Sequence, residues 1–172
     1  MSGIIGIESP LAGIELWLLP LDGRGRAAER EAVDRLFREL LGTVEGHCPD
    51  GAPFAVGRDD VAVSVSHGAG YALLALSHDP AVRPGVDIED PCREGQLRRI
   101  ASRFVSAADD PSLTPCEIWT AKEAAYKAFG RRGLPLLDIR VGREAVEAPG
   151  LCARVAWTCI AGAAVIAIAV RR

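Results

Sequence analysis

Lysine is almost missing from this chain: two of its 172 residues, against eighteen arginines. Also lacking are a surplus of positive charge, a C-x-x-C pair, an apolar run long enough to span a bilayer, and any low-complexity segment or long linker. Each absence excludes something. A formal net charge of −3 leaves no bulk positive field to gather nucleic acid, so no such partner is expected. Five cysteines, an odd number at positions 48, 92, 116, 152 and 159, do not make a closed disulfide framework and read as reduced packing residues of a cytoplasmic protein. The amino terminus shows neither a basic leader nor the apolar stretch of a secretory signal. Residues 155–170 are apolar but fall short of the ~20 residues that a spanning helix needs. Their Val/Ile-rich halves around Ala161 and Gly162 suit two buried strands joined by a turn, and no membrane association is expected.

What remains is the composition of a globular protein, 49% apolar and 25% charged, at a length suited to one domain or one domain of two small halves. Alternation predicts strands over residues 14–19, 61–66, 71–77, 85–89, 139–141, 152–160 and 163–170, with loop chemistry from 43 to 60. Helical spacing appears over 27–41 (stopped at Gly42), 93–104 and 116–129 (stopped at Gly130). The order is β-α-β-β, then β-α-α-β-β-β. The expected class is therefore α+β: two similar lobes in a pseudo-dimer, each a small antiparallel sheet packed on a long helix. Residues 1–172 form one unit, with lobes of about 1–82 and 83–172 and a ligand cleft between them.

Three clusters could carry chemistry. Asp87 and Glu89 flank Ile88 on a predicted strand, so both carboxylates project to one face, where they repel each other unless a cation lies between them. Hard oxygen donors of this kind suit Mg²⁺; an acidic strand end exposed to solvent is the plainer alternative. Glu123 and Lys127 stand i and i+4 on the third helix, within Trp119-Thr120-Ala121-Lys122-Glu123-Ala124-Ala125-Tyr126-Lys127. A surface ion pair is one reading of them. The other starts from the lysine shortage: a chain that uses arginine for solvated charge keeps lysine twice on this helix, where a compact ammonium suits phosphate oxygens or proton transfer. Ser66, His67 and Gly68 end a strand, where a hydroxyl and an imidazole can donate to phosphate or can be ordinary surface.

These segments resemble, in order and spacing, the 4′-phosphopantetheinyl transferases, most closely their monomeric surfactin-type members. The family patterns are Ser-His, then Gly-(Ile/Val)-Asp-(Ile/Val)-Glu, then Phe-(Ser/Cys)-x-x-(Glu/Asp), then Trp-x-x-Lys-Glu-(Ala/Ser)-x-x-Lys. Here they read Ser66-His67, Gly85-Val86-Asp87-Ile88-Glu89, Val105-Ser106-Ala107-Ala108-Asp109, and Trp119 through Lys127 with Lys122, Glu123 and Ala124 in place. The resemblance runs from about residue 51 to 137. It implies Asp87, Glu89 and Glu123 as magnesium ligands, and Ser66, His67, Lys122, Lys127 and Arg58 as contacts of coenzyme A. Lys127 and Glu123, with Asp109, are implied near the reacting centre. Gly51-Ala52-Pro53 occupies the place of a Gly-(Lys/Arg)-Pro loop, with alanine where the family has a cation. The first lobe is also shorter than is usual; Arg24, Arg26, Arg30 and Arg58 are the candidates for the 3′-phosphate.

The implied reaction is attack by a carrier-protein serine on the coenzyme A phosphate that bears pantetheine, with Mg²⁺ as cofactor and 3′,5′-ADP as leaving group. Glu123, Asp109 or a metal-bound water would take the serine proton. The partners would be an acyl, polyketide or peptidyl carrier protein and coenzyme A, with arginines 98, 99, 103, 131 and 132 available to steer an acidic carrier. Two lobes in one chain would complete the cleft, so a monomer is expected. Rival readings are a coenzyme A-binding module of the same fold that no longer turns over, and an unrelated Mg²⁺-dependent phosphohydrolase.

Overall fold

The computed structural model describes residues 3–160 and 164–171. In chain order the elements begin β1 (Ile5–Ile7), β2 (Glu15–Pro20), α1 (Arg26–Leu36), β3 (Glu45–His47), β4 (Pro53–Ala55), β5 (Ala62–Gly68) and β6 (Tyr71–Ser77). They continue with β7 (Arg83–Glu89), α2 (Glu94–Arg99), α3 (Pro115–Phe129), β8 (Arg140–Val141), β9 (Ala145–Ala148), β10 (Leu151–Ile160) and β11 (Ala164–Arg171). All pairings are antiparallel. One sheet has the order β1-β2-β6-β5, a second β7-β11-β10-β9-β8, and β3 pairs with β4 in a small hairpin.

Period-two alternation sorts these strands into layers. On β2 and β6, Leu16, Leu18, Leu73 and Ala75 face the second sheet, meeting Val86, Ile88, Ile166 and Ile168 in a dry middle layer. The opposite faces carry Leu19, Ala72, Leu74 and Leu76, which pack on Val33, Leu36 and Phe37 of α1 and its π-helical extension Phe37–Leu41. Beyond the second sheet, Ala153, Val155, Ala167 and Ala169 meet the alanine face of α3. The result is a mixed α/β stack of helix, sheet, sheet and helix.

Two glycines set the depth of this packing. A side chain at Gly85 of β7 would collide with the backbone of α3, at the carbonyl of Ala124 and the amide of Ala128. A side chain at Gly68 of β5 would collide with the carbonyl of Ile88, again on β7. Strand β7 is thus approached from α3 and from the neighbouring sheet at distances that only a hydrogen atom at these positions tolerates.

The expected elements are present with four differences. The segment 43–60 is not all loop: Glu45↔Ala55 and His47↔Pro53 pair β3 with β4, in strands too short to leave a periodic signal. Residues 93–104 do not form one helix. Only α2 is α-helical, and Ile100, Arg103 and Phe104 donate to carbonyls three residues back. Leu97, Ile100, Ala101 and Phe104 still reach the core, since a spacing of three suits a 3₁₀ turn as well as an α-helix. Strands β1 and β9 have no counterpart in the sequence reading. The 155–170 stretch forms the two paired strands β10 and β11, and among the described residues no helix is long and apolar enough to cross a membrane. The turn expected at Ala161 and Gly162 lies outside the described residues.

Gly85→Ala should destabilise the fold by about 1–3 kcal/mol through overpacking on α3. Gly95→Ala, on α2 with nothing within 4 Å of the added carbon, should be neutral or stabilising by up to about 1 kcal/mol. Urea unfolding of the two variants checks the contrast; equal effects would mean that the close approach at Gly85 carries no weight.

Candidate active site

Helix α3 positions most of the candidate side chains, and its ends are well specified. Thr114 caps the first turn, accepting from Glu117 N–H while Glu117 Oε2 accepts from Thr114 N–H, and Pro115 opens the helix. Gly130 closes it in the left-handed conformation, φ 59°. Between them Ala121, Ala124, Ala125 and Ala128 are fully buried, and these small side chains let β7 and β11 come close.

That closeness brings Lys127 to β7. Its Nζ donates to the Val86 carbonyl at 2.7 Å and to Asp87 Oδ1 at 3.0 Å. Asp87 Oδ1 also accepts from Ser66 Oγ at 2.8 Å, which leaves Oδ2 available. Glu89 is buried beside it, with Oε1 on Asp90 N–H and Oε2 on Arg93 Nη1 at 2.7 Å. Glu123 is half-buried, and its carboxyl makes no hydrogen bond among the described residues. Its carboxyl is raised above the ordinary value by burial first, then by Asp87, against the pull of Lys127, with Glu89 adding to the rise. At this acidic spot Glu123 therefore feels the negative charge of Asp87 and Glu89, partly offset by Lys127.

The donor chemistry of that spot fits a hard dication: oxygen ligands, and an excess of negative charge that a cation would relieve. As they stand, among the described residues, no group of three or more His, Cys, Asp or Glu side chains is arranged to hold a metal ion.

The other expected residues divide. Ser66 is buried, its hydroxyl committed to Asp87, while Ser64 Oγ accepts from Val86 N–H at 3.1 Å. These two hydroxyls tie β5 to β7 where no backbone hydrogen bond joins them among the described residues. His67 is exposed, its Nδ1 3.6 Å from Glu29 Oε2. Lys122 and Asp109 stand apart from the acidic spot. Lys122 Nζ donates to Asp109 Oδ2 at 2.8 Å and to the Phe104 carbonyl at 2.6 Å, and Asp109 also accepts from Ser106 and Val141 N–H. Both side chains are essentially inaccessible, so neither meets a ligand without breaking this buried network. Burial lowers the Lys122 ammonium from its usual range, with Asp109 opposing that shift. Arg58 is likewise committed, pairing with both oxygens of Asp60 and donating to the Leu41 carbonyl.

Lys127 opens onto a cavity of about 640 Å³, within the ordinary range for small-molecule sites. Its walls include Ala52, Pro53 and Phe54 from the hairpin loop and β4, Val63 and Val65 from β5, Arg83 from β7, and Arg131 and Arg132 after α3. Ser66, His67 and Arg58 are not in the lining. Arg83 and Asp50 went unnoticed in the sequence, and Arg132 was assigned only to carrier steering. A signal was there: Arg83 lies two residues before Gly85 and Arg132 two after Gly130, so the packing of Gly85 on the last turn of α3 brings them together.

Residues 83–158 match the family model described as the 4′-phosphopantetheinyl transferase superfamily. That segment runs from β7 into β10 and contains Asp87, Glu89, Asp109, Lys122, Glu123 and Lys127; the first sheet, with Ser66 and His67, lies outside it. Over this segment the chain is similar to transferases of that kind. No curated protein matches the chain.

Two outcomes follow from the charges. Because the Glu123 carboxyl is raised, its contribution to stability is fully present below the ordinary value of 4.5 and is lost as pH rises through the folded-state value. In EDTA, wild type should therefore lose stability relative to Glu123→Gln as pH rises from 4 to 7, by urea unfolding; a pH-independent difference would contradict the crowding. For the buried pair, Lys122→Met should cost about 3–5 kcal/mol by leaving Asp109 unpaired. Lys122→Met combined with Asp109→Asn should be less destabilised than Lys122→Met alone.

Proposed function

We propose that this protein transfers the 4′-phosphopantetheine arm of coenzyme A to a serine of an acyl, polyketide or peptidyl carrier protein, releasing 3′,5′-ADP. The observation that carries this reading is Lys127, which ties α3 to the Asp87 carboxylate and the Val86 carbonyl of β7 and at the same time lines a cavity whose other charges are mainly arginine. The family match over 83–158 supports it. Asp87, Glu89 and Glu123 would hold Mg²⁺, which supplies positive charge against the diphosphate when bound.

The chain's own groups do the rest. Lys127 adds a fixed ammonium at the phosphate under attack, held by two hydrogen bonds so that little reorganisation is needed. Glu123 is the acceptor we favour for the serine proton: its carboxyl makes no hydrogen bond among the described residues. Asp109, with both oxygens occupied in the buried network, acts by fixing Lys122 and the 104–109 segment against α3. Val63 and Val65 with the aliphatic edge of the cleft exclude water along the pantetheine path. The two sheets with their helices serve as two lobes, about 1–82 and 83–172, in a monomeric, cytoplasmic, surfactin-type transferase.

A second reading, a coenzyme A-binding module of the same fold that does not turn over, draws on Ala52 in the cleft wall and on the engagement of Glu89 by Arg93.

Incubation with coenzyme A, Mg²⁺ and a panel of carrier proteins should add the phosphopantetheine mass to at least one carrier. Asp87→Ala and Glu123→Ala should each lower the rate about a hundredfold or more with the circular dichroism spectrum unchanged. Mg²⁺ should raise the melting temperature of wild type and not of Asp87→Ala. Binding of coenzyme A with no mass gain on any carrier would favour the module, and wild-type rates in both alanine variants would remove the metal assignment.

A further inference from the structure

One carboxylate stands among the cations of the cleft. Lys127, Arg83, Arg131 and Arg132 line it, and among the described residues Asp50 is the single acidic one in the lining. Asp50 links two of these cations. Its Oδ2 accepts from Arg83 Nη2 at 3.3 Å, and its main-chain carbonyl accepts from Arg132 Nε at 3.1 Å. Its Oδ1 accepts from Ala52 N–H at 3.0 Å, which shapes the turn. Two arginines from separate parts of the chain, the first residue of β7 and the segment after α3, are thus gathered on one short loop. Gly130 makes room for this: a side chain there would collide with the Arg83 guanidinium.

The Asp50–Arg83 pair is loosely built. It has one hydrogen bond, and the side chains are 35% and 43% exposed, so solvent screens it. The Asp50 carboxyl is held below its ordinary range, chiefly by the Ala52 N–H and then by Arg83, and it stays ionised at neutral pH. A phosphomonoester brings nearly two charges and three acceptor oxygens to the same guanidinium, against one charge and one remaining oxygen from Asp50. Ala52, which adds no cation of its own, leaves this task to residues outside the loop.

We propose that Arg83 and Arg132 form a phosphomonoester subsite in the cleft and that Asp50 is its built-in competitor, gathering the arginines in the unliganded chain and yielding Arg83 when the phosphate arrives. The identity of the ligand, the ribose 3′-phosphate of coenzyme A, rests on the transferase reading; the competition itself does not.

Calorimetric titration of the full chain with coenzyme A, 3′-dephospho-coenzyme A, 3′,5′-ADP and inorganic phosphate tests this. Arg83→Gln and Arg132→Gln should each weaken coenzyme A about tenfold and leave 3′-dephospho-coenzyme A unchanged. Asp50→Asn, which keeps the acceptor for Ala52 N–H and removes the charge, should tighten coenzyme A and 3′,5′-ADP several-fold without affecting 3′-dephospho-coenzyme A. Weaker or unchanged binding of 3′,5′-ADP to a folded Asp50→Asn protein would overturn the proposal, as would arginine variants that weaken both coenzymes equally. Should wild type modify a carrier while Asp50→Asn shows no tightening, the subsite fails and the transferase stands. Should coenzyme A not bind while 3′,5′-ADP binds and tightens in Asp50→Asn, the transferase reading fails and the subsite stands.

Discussion

The architecture depends on how closely β7 can be approached. Gly85 admits α3 from one side and Gly68 admits β5 from the other, each at a separation that excludes a Cβ atom. Everything at the candidate site follows from these contacts. Lys127 reaches a β7 carbonyl because α3 lies against the strand, and Ser66 reaches Asp87 because β5 lies alongside it. The same closeness buries the Glu123 carboxyl and sets it in the field of Asp87 and Glu89, and burial first, then those charges, raise it. A wider spacing would relax that charge repulsion and also dissolve the site.

The two lysines do related work. Each ammonium bridges a backbone carbonyl and a carboxylate: Phe104 and Asp109 for Lys122, Val86 and Asp87 for Lys127. A compact group with three donors on a thin stem fits such a bridge between packed elements, where a planar guanidinium would need more room. The difference lies in access. Lys122 is sealed, and its pair joins the 104–109 segment and β8 to the helix. Lys127 is 30% exposed and faces the cleft.

Much of this was legible beforehand, for identifiable reasons. Helix α3 announces itself through its Ala, Lys and Glu content and the stop at Gly130, and the paired carboxylates of β7 follow from strand alternation. Lysine scarcity drew attention to α3, where only one of the two ammoniums faces the cleft. What could not be read is tertiary. Burial took Asp109, Lys122 and Ser66 out of solvent, and a neighbouring aspartate engaged Arg58; no local pattern marks either event. The hairpin of β3 and β4 was hidden because three-residue strands carry no periodicity. Arg83, Arg132 and Asp50 meet only through folding, from positions up to 82 residues apart.

Between β5 and β7 the two sheets meet through the hydroxyls of Ser64 and Ser66 and not through a backbone ladder. A ladder would have locked the two sheets into one register, so that a slip in either would flip the side chains of both. Joined by side chains, each sheet keeps its own alignment. The seam beside Asp87 then becomes a tunable joint, whose width is written in two small residues and can change without rethreading any strand.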